Sequence, residues 1–124
     1  MDARPYWNAT GALSNREQKY RLKVVEGVGE PLRDEEYVCP TIEGLESKST
    51  PHRAAVLLGS KRKDDAKWFA LIGTVDKEHP WVVKDGAEFI AEATGRLYLY
   101  FNDFQLEPYY TNNSGWVVLD LETI

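Results

Sequence analysis

The chain carries one cysteine, no long apolar run and no excess of basic residues, and each shortage removes a class of protein. With Cys39 alone, neither an internal disulfide nor a cysteine-based zinc cluster can form, which fits folding in a reducing compartment. No stretch approaches the roughly 18 apolar residues that a membrane-spanning helix needs, and the start lacks the basic, apolar and small-residue order of a secretory leader. Fifteen Lys and Arg stand against 20 Asp and Glu, a net charge of -5. Nucleic acid is therefore not an expected partner, because its non-specific binding rests on a basic surface. The only basic run, Lys61-Arg62-Lys63, meets Asp64-Asp65 at once and reads as a solvated loop, with an anion-binding patch as the alternative.

Catalytic signatures are missing as well. There is no Gly-x-Ser-x-Gly elbow, phosphate-binding loop, His-Glu-x-x-His pair or Gly-x-Gly-x-x-Gly after a strand, so no enzyme is expected. His52 and His79 each adjoin a proline in a loop or turn and read as solvated side chains. Cys39, beside Pro40, reads as a small buried residue rather than a nucleophile. An enzyme using Glu107 and Asp103 as paired carboxylates is the third of three functional readings, and nothing else in the sequence arranges a substrate around them.

What is present is aromatic and strand-forming. A length of 124 residues suits a single domain spanning 1–124, and 4 Trp, 7 Tyr and 4 Phe favour pleated, half-buried surfaces. Residues 19–26 alternate cleanly, with Tyr20, Leu22 and Val24 on one face and Arg21, Lys23 and Val25 on the other. Residues 7–13 read as a strand interrupted at Gly11 that pairs with 19–26 across a turn at 14–17. From 27 to 52, glycines and prolines break every period, so this region reads as long loops around one short strand near Tyr37. Further strands are expected at 54–58, 68–75, 81–84, 87–93, 96–102 and 115–121, with glycine turns at Gly86 and Gly95. Leu97-Tyr-Leu-Tyr-Phe101 is apolar or aromatic throughout, as a central strand covered on both faces should be. The expected fold class is all-β, a jelly-roll-like antiparallel β-sandwich of about eight strands.

The most informative constellation is Asn102-Asp103 at the end of that central strand and Asn112-Asn113-Ser114-Gly115 at the start of the last one. A hairpin joining these strands would bring their oxygen-bearing side chains to one end of the sandwich. Calcium takes about six to eight oxygens in irregular geometry, so one carboxylate, two amide oxygens and loop carbonyls form a partial shell. The same residues are also those of ordinary turns.

The order Trp7-Asn-Ala-Thr-Gly-Ala-Leu13, Lys19-Tyr-Arg-Leu-Lys-Val24, Phe69-Ala-Leu-Ile-Gly-Thr-Val75, Gly95-Arg-Leu-Tyr-Leu-Tyr-Phe-Asn-Asp103 and Asn112-Asn-Ser-Gly-Trp-Val-Val-Leu119 resembles the calcium-dependent galactose-binding lectins of the LecA (PA-IL) type. It is also similar to related domains appended to bacterial toxins and to phospholipase effectors of type VI secretion systems. The resemblance implies a carbohydrate-binding module in which calcium bridges the protein to two sugar hydroxyls. Asp103, Asn112 and Asn113 would then be metal ligands, joined by backbone carbonyls from Tyr109 and from residues 39–44. Asp103, Asn112, Tyr109, Tyr110 and His52 would face the glycan or another hydroxyl-rich ligand. Tyr109 and Tyr110 are read equally as stacking rings and as loop anchors. The resemblance further implies a toxin or phospholipase effector as partner, and a location in the bacterial cytoplasm or outside it by a route without a classical leader.

Two departures from the family stand out. Its loop between the aspartate and the first asparagine is shorter and carries a Pro-Gly-Thr turn, where this chain has Phe104-Gln-Leu-Glu-Pro-Tyr-Tyr-Thr111. Its sugar-contacting His-Pro-x-Gln loop is matched here only by His52, which follows a proline instead of preceding one. The alternative function is a non-catalytic structural or interaction domain of a secreted effector that has lost the metal. No segment specifies an oligomeric state.

Overall fold

The computed structural model describes residues 1–34, 37–39, 41–44, 61–63, 65–103 and 110–124. The strand expected at 54–58, and the residues Tyr109, His52 and Glu107, lie outside the described residues. Within them the chain is all-β: ten strands and no α-helix, hence no helix long and apolar enough to cross a membrane. The strands are β1 (Asn8–Ser14), β2 (Lys19–Val24), β3 (Glu30–Asp34), β4 (Tyr37–Val38), β5 (Leu71–Val75), β6 (Glu78–Val82), β7 (Glu88–Ile90), β8 (Gly95–Phe101), β9 (Asn113–Trp116) and β10 (Leu119–Thr123). They form three antiparallel sheets, ordered β1-β8-β5-β6, β10-β2-β7 and β4-β3-β9.

The sandwich core lies between the first two sheets. Alternation in β2 turns Tyr20 and Leu22 inward, where Leu22 meets Leu71 of β5, Leu99 of β8 and Val83, with Val24, Leu119 and Leu121 closing the sides. A second cluster, Leu32, Cys39, Trp68, Phe69, Phe101 and Tyr110, joins the third sheet to the end of β8. β8 is flanked by β1 and β5, and Leu97, Leu99, Tyr100 and Phe101 are buried, so it is the central strand its composition implies. Gly86 takes the expected positive φ, 74°, in the turn where Asp85 Oδ1 accepts the Val24 amide at 2.8 Å.

Several expectations are overturned, each because partner choice is not local. β1 does not pair with β2; it pairs with β8, while β2 lies between β10 and β7. β8 and β9 do not form a hairpin, since β9 pairs with β3 in register Asp34↔Asn113 and Arg33↔Ser114. β3 runs through a segment expected to be loop, and the expected 115–121 strand divides into β9 and β10, which belong to different sheets. Gly95 serves close approach instead of positive φ, because a Cβ there would sit 2.2 Å from the Asp76 carboxylate. Gly115 needs both: its φ is 93°, and a Cβ would meet the Pro31 carbonyl at 1.9 Å, so only glycine lets β9 lie against β3.

Candidate functional site

Asp103 follows β8 directly, and its backbone is held by two neighbours. Its amide donates to the Tyr110 hydroxyl at 3.3 Å, its carbonyl accepts the Arg62 amide at 3.0 Å, and its side chain is fully buried. Asn102, placed in the constellation from sequence, is used structurally. Its Oδ1 accepts the Lys63 amide at 3.0 Å and its Nδ2 donates to the carbonyls of Lys63 and Lys67 at 3.2 and 2.9 Å. With every polar atom of that amide engaged on backbone, Asn102 is a clamp and not a metal ligand. The clamp also explains why Lys61-Arg62-Lys63 is no solvated loop: the run is pinned to the end of β8.

Tyr110 is corrected from ligand-facing residue to anchor. It is 1% exposed, and its hydroxyl donates to the Phe101 carbonyl at 2.5 Å while accepting from Arg62 Nη1 at 3.1 Å. Burial pushes its phenol well above the ordinary range; Arg62 and the hydrogen bond from the Asp103 amide oppose the rise, and the Asp103 charge adds to it. The missing β8–β9 hairpin is thus replaced by this single ring, which ties the start of the 110–113 segment back to Phe101 and Asp103.

The two asparagines separate. Asn112 is exposed, as a residue offered to a ligand should be. Asn113 is 3% exposed; its Nδ2 donates to the Ala3 carbonyl at 3.2 Å, while among the described residues no donor reaches its Oδ1. A buried carbonyl oxygen without a donor costs about 1–3 kcal/mol, so a donor or a cation placed there would be favoured. Beside these two residues, Arg4, Pro5, Tyr6, Tyr110 and Thr111 line an open depression of about 510 Å3.

The structure adds a residue that sequence reading missed. Asp34 of β3 is the register partner of both Asn113 in β9 and Tyr37 in β4. Asp34 and Asp103 both act on the buried Cys39 thiol, which is pushed up to about 12, first by burial and then by these two carboxylates. Two acids therefore project negative potential into the corner where only Asp103 was expected. Nothing in the sequence marked Asp34, because its place depends on the β3–β9 pairing. Among the described residues, no three His, Cys, Asp or Glu side chains converge on one point; the donor set is two carboxylates, the Asn113 amide oxygen and exposed Asn112. These are hard oxygen donors of the kind calcium takes, and the Asn113 Oδ1, buried without a donor among the described residues, fits a cation. No family model, curated protein or solved structure matches this chain.

Proposed function

We propose that this chain is a carbohydrate-binding module that recognises a glycan, or another hydroxyl-rich ligand, through calcium held at the Asp103–Asn113 corner. The observation carrying this reading is the Asn113 Oδ1, buried without a donor among the described residues, beside a backbone partner, Asp34, that shares its field with Asp103. The carboxylates that oppose ionisation of the Cys39 thiol are the same charges that would favour a cation. Asp103, Asn113 and Asn112 would hold the ion, as in the lectins the sequence resembles, with Asp34 adding charge. Calcium bound there would supply coordination positions to vicinal sugar hydroxyls. Tyr110 keeps Asp103 in place through its hydroxyl, Asn113 Nδ2 fixes its own side chain on Ala3, and Asn112 remains exposed for hydrogen bonds to the sugar.

Calcium titration tests it. Heat of binding at millimolar calcium is expected for the wild type, with Asp103→Asn and Asn113→Ala each weakening it by about ten-fold or more, through a lost charge and a lost oxygen. Asn112→Ala should weaken both calcium and the glycans captured on an array. Absence of heat in the wild type defeats the proposal. The second reading, an interaction domain of a secreted effector without metal, is favoured by Asn102 and Tyr110, whose polar groups are occupied in holding backbone. It gains if the variants leave calcium response flat while the fold is intact.

A further inference from the structure

Outside that corner, the outward face of the four-stranded sheet carries Trp7, Tyr98 and Tyr100. Trp7 meets both tyrosines edge-on, at 6.1 and 5.5 Å between centroids. Two cations converge on this indole: Arg62 Cζ lies 4.5 Å and Lys77 Nζ 5.5 Å from its ring. Arg62 also stacks at 3.6 Å on both Tyr6 and Tyr100, and Lys77 stands 5.2 Å from Tyr98. Tyr6, Trp7, Tyr100, Arg62, Lys77 and Pro80 line a concavity of about 340 Å3.

The electrostatics of this concavity run against those of the chain. Among the described residues neither Arg62 nor Lys77 has a carboxylate partner. The acid that acts on the Tyr100 hydroxyl, Asp65, is itself paired to Lys63 at 2.6 Å and is 79% exposed. Asp76, next to Lys77, is turned to the Arg96 amide at 2.9 Å. Arg62 is held rigidly, since Nη1 donates to the Tyr6 carbonyl and the Tyr110 hydroxyl, while its Nε and Nη2 reach no described acceptor. A fixed guanidinium with donors to spare and a second cation across an aromatic wall favour an anion at this spot, in a molecule of net charge -5. Aromatic walls add flat apolar surface, and the volume suits a small ligand.

We propose that this concavity binds an acidic saccharide, its carboxylate or sulfate held between Arg62 and Lys77 and its ring face set against Trp7. The choice of a saccharide over other anion carriers rests on the lectin-like reading above, whereas the anion site does not. Tyr6 also lines the depression beside Thr111, so a sugar here adjoins the surface next to Asn112.

Calorimetry in the presence of EDTA separates the two sites, using a sulfated disaccharide, a glucuronate-containing disaccharide, the uncharged parent disaccharide and inorganic sulfate. At least one charged disaccharide is expected to bind about ten-fold or more tightly than both the uncharged parent and sulfate alone. Lys77→Glu, at an exposed position, should weaken that binding by about ten-fold or more without moving the melting temperature. Equal binding of the uncharged parent or of inorganic sulfate, no binding of either charged sugar, or an unaltered affinity in Lys77→Glu overturns the proposal. Binding that appears only when calcium is restored also overturns it and assigns the sugar to the Asp103 corner, while a silent calcium titration leaves the anion site standing.

Discussion

The Asp103 corner and the Arg62 face meet at one hydroxyl, that of Tyr110, and they are built in opposite ways. The corner is acidic and its oxygens are placed by backbone register, with Asp34 opposite Asn113 across β3 and β9. The face is cationic and its charge is placed by side chains, with the Arg62 guanidinium stacked between Tyr6 and Tyr100 and hydrogen-bonded to Tyr110. Tyr110 touches both, since its hydroxyl accepts from Arg62 Nη1 and from the Asp103 amide. A buried neutral ring stands between the opposite charges, where a direct ion pair would have quenched both.

The comparison breaks most completely if the shared ring is removed. Tyr110→Ala should cost about 3–5 kcal/mol, through the cavity left by a fully buried aromatic, and should weaken ligand binding at both sites. Tyr110→Phe keeps the ring and should cost about 1–3 kcal/mol, because the Phe101 carbonyl and Asp103 amide lose a buried partner. Urea denaturation of the two variants checks the order; a Tyr110→Phe variant as stable as the wild type would mean that the hydroxyl does nothing.

Alkaline pH sharpens the acidic side. The folded state holds the Cys39 thiol up at about 12 against an ordinary 9.0, so between those values the unfolded chain releases a proton that the folded chain keeps. Stability should therefore fall as pH rises through that window, by up to about 1.4 kcal/mol per pH unit from this group. Tyr100 and Tyr110, also raised by burial, act in the same direction at the upper end. Unfolding midpoints from pH 8 upward should decline less steeply in Cys39→Ala than in the wild type. An unchanged slope removes Cys39 as a reporter of that corner.

On the cationic side, Arg62→Lys should cost about 1–2 kcal/mol, because an ammonium cannot stack flat on two rings while donating to Tyr6 and Tyr110. Arg21 supplies the contrasting case, a cation shared at the surface between Glu88 and Glu122 at 3.1 and 3.2 Å. Arg21→Ala should cost under about 1 kcal/mol, and that cost should shrink in high salt while the Arg62 loss persists. Comparable salt sensitivity at both positions would show that Arg62 acts as a surface charge and not as a packed ring partner.

Sequence alone determined what depends on neighbours along the chain. Alternation in residues 19–24 gave β2 its inward Tyr20 and Leu22, the apolar run at 97–101 gave the central strand, and a glycine in Lys84-Asp85-Gly86 gave a left-handed turn. Side-chain period reports which face is buried, and that is a local property. Asp103, Asn112 and Asn113 were grouped by chain order, but the β8–β9 hairpin invoked to join them is absent, since β9 pairs with β3.

Tertiary structure decided everything that depends on which strand lies beside which. β3, with Pro31 and three charged residues, has no legible pattern by itself and becomes a strand because β4 and β9 supply its hydrogen-bonding partners. That pairing, unrelated to chain proximity, brings Asp34 to Asn113. Asn102 becomes a clamp because the backbone at Lys63 and Lys67 folds against it, and Arg62 moves from an apparent surface run into an aromatic enclosure for the same reason. An amide or a guanidinium carries the same chemistry in any fold; whether it meets a backbone carbonyl, an aromatic face or solvent is settled by contacts between residues far apart in the chain.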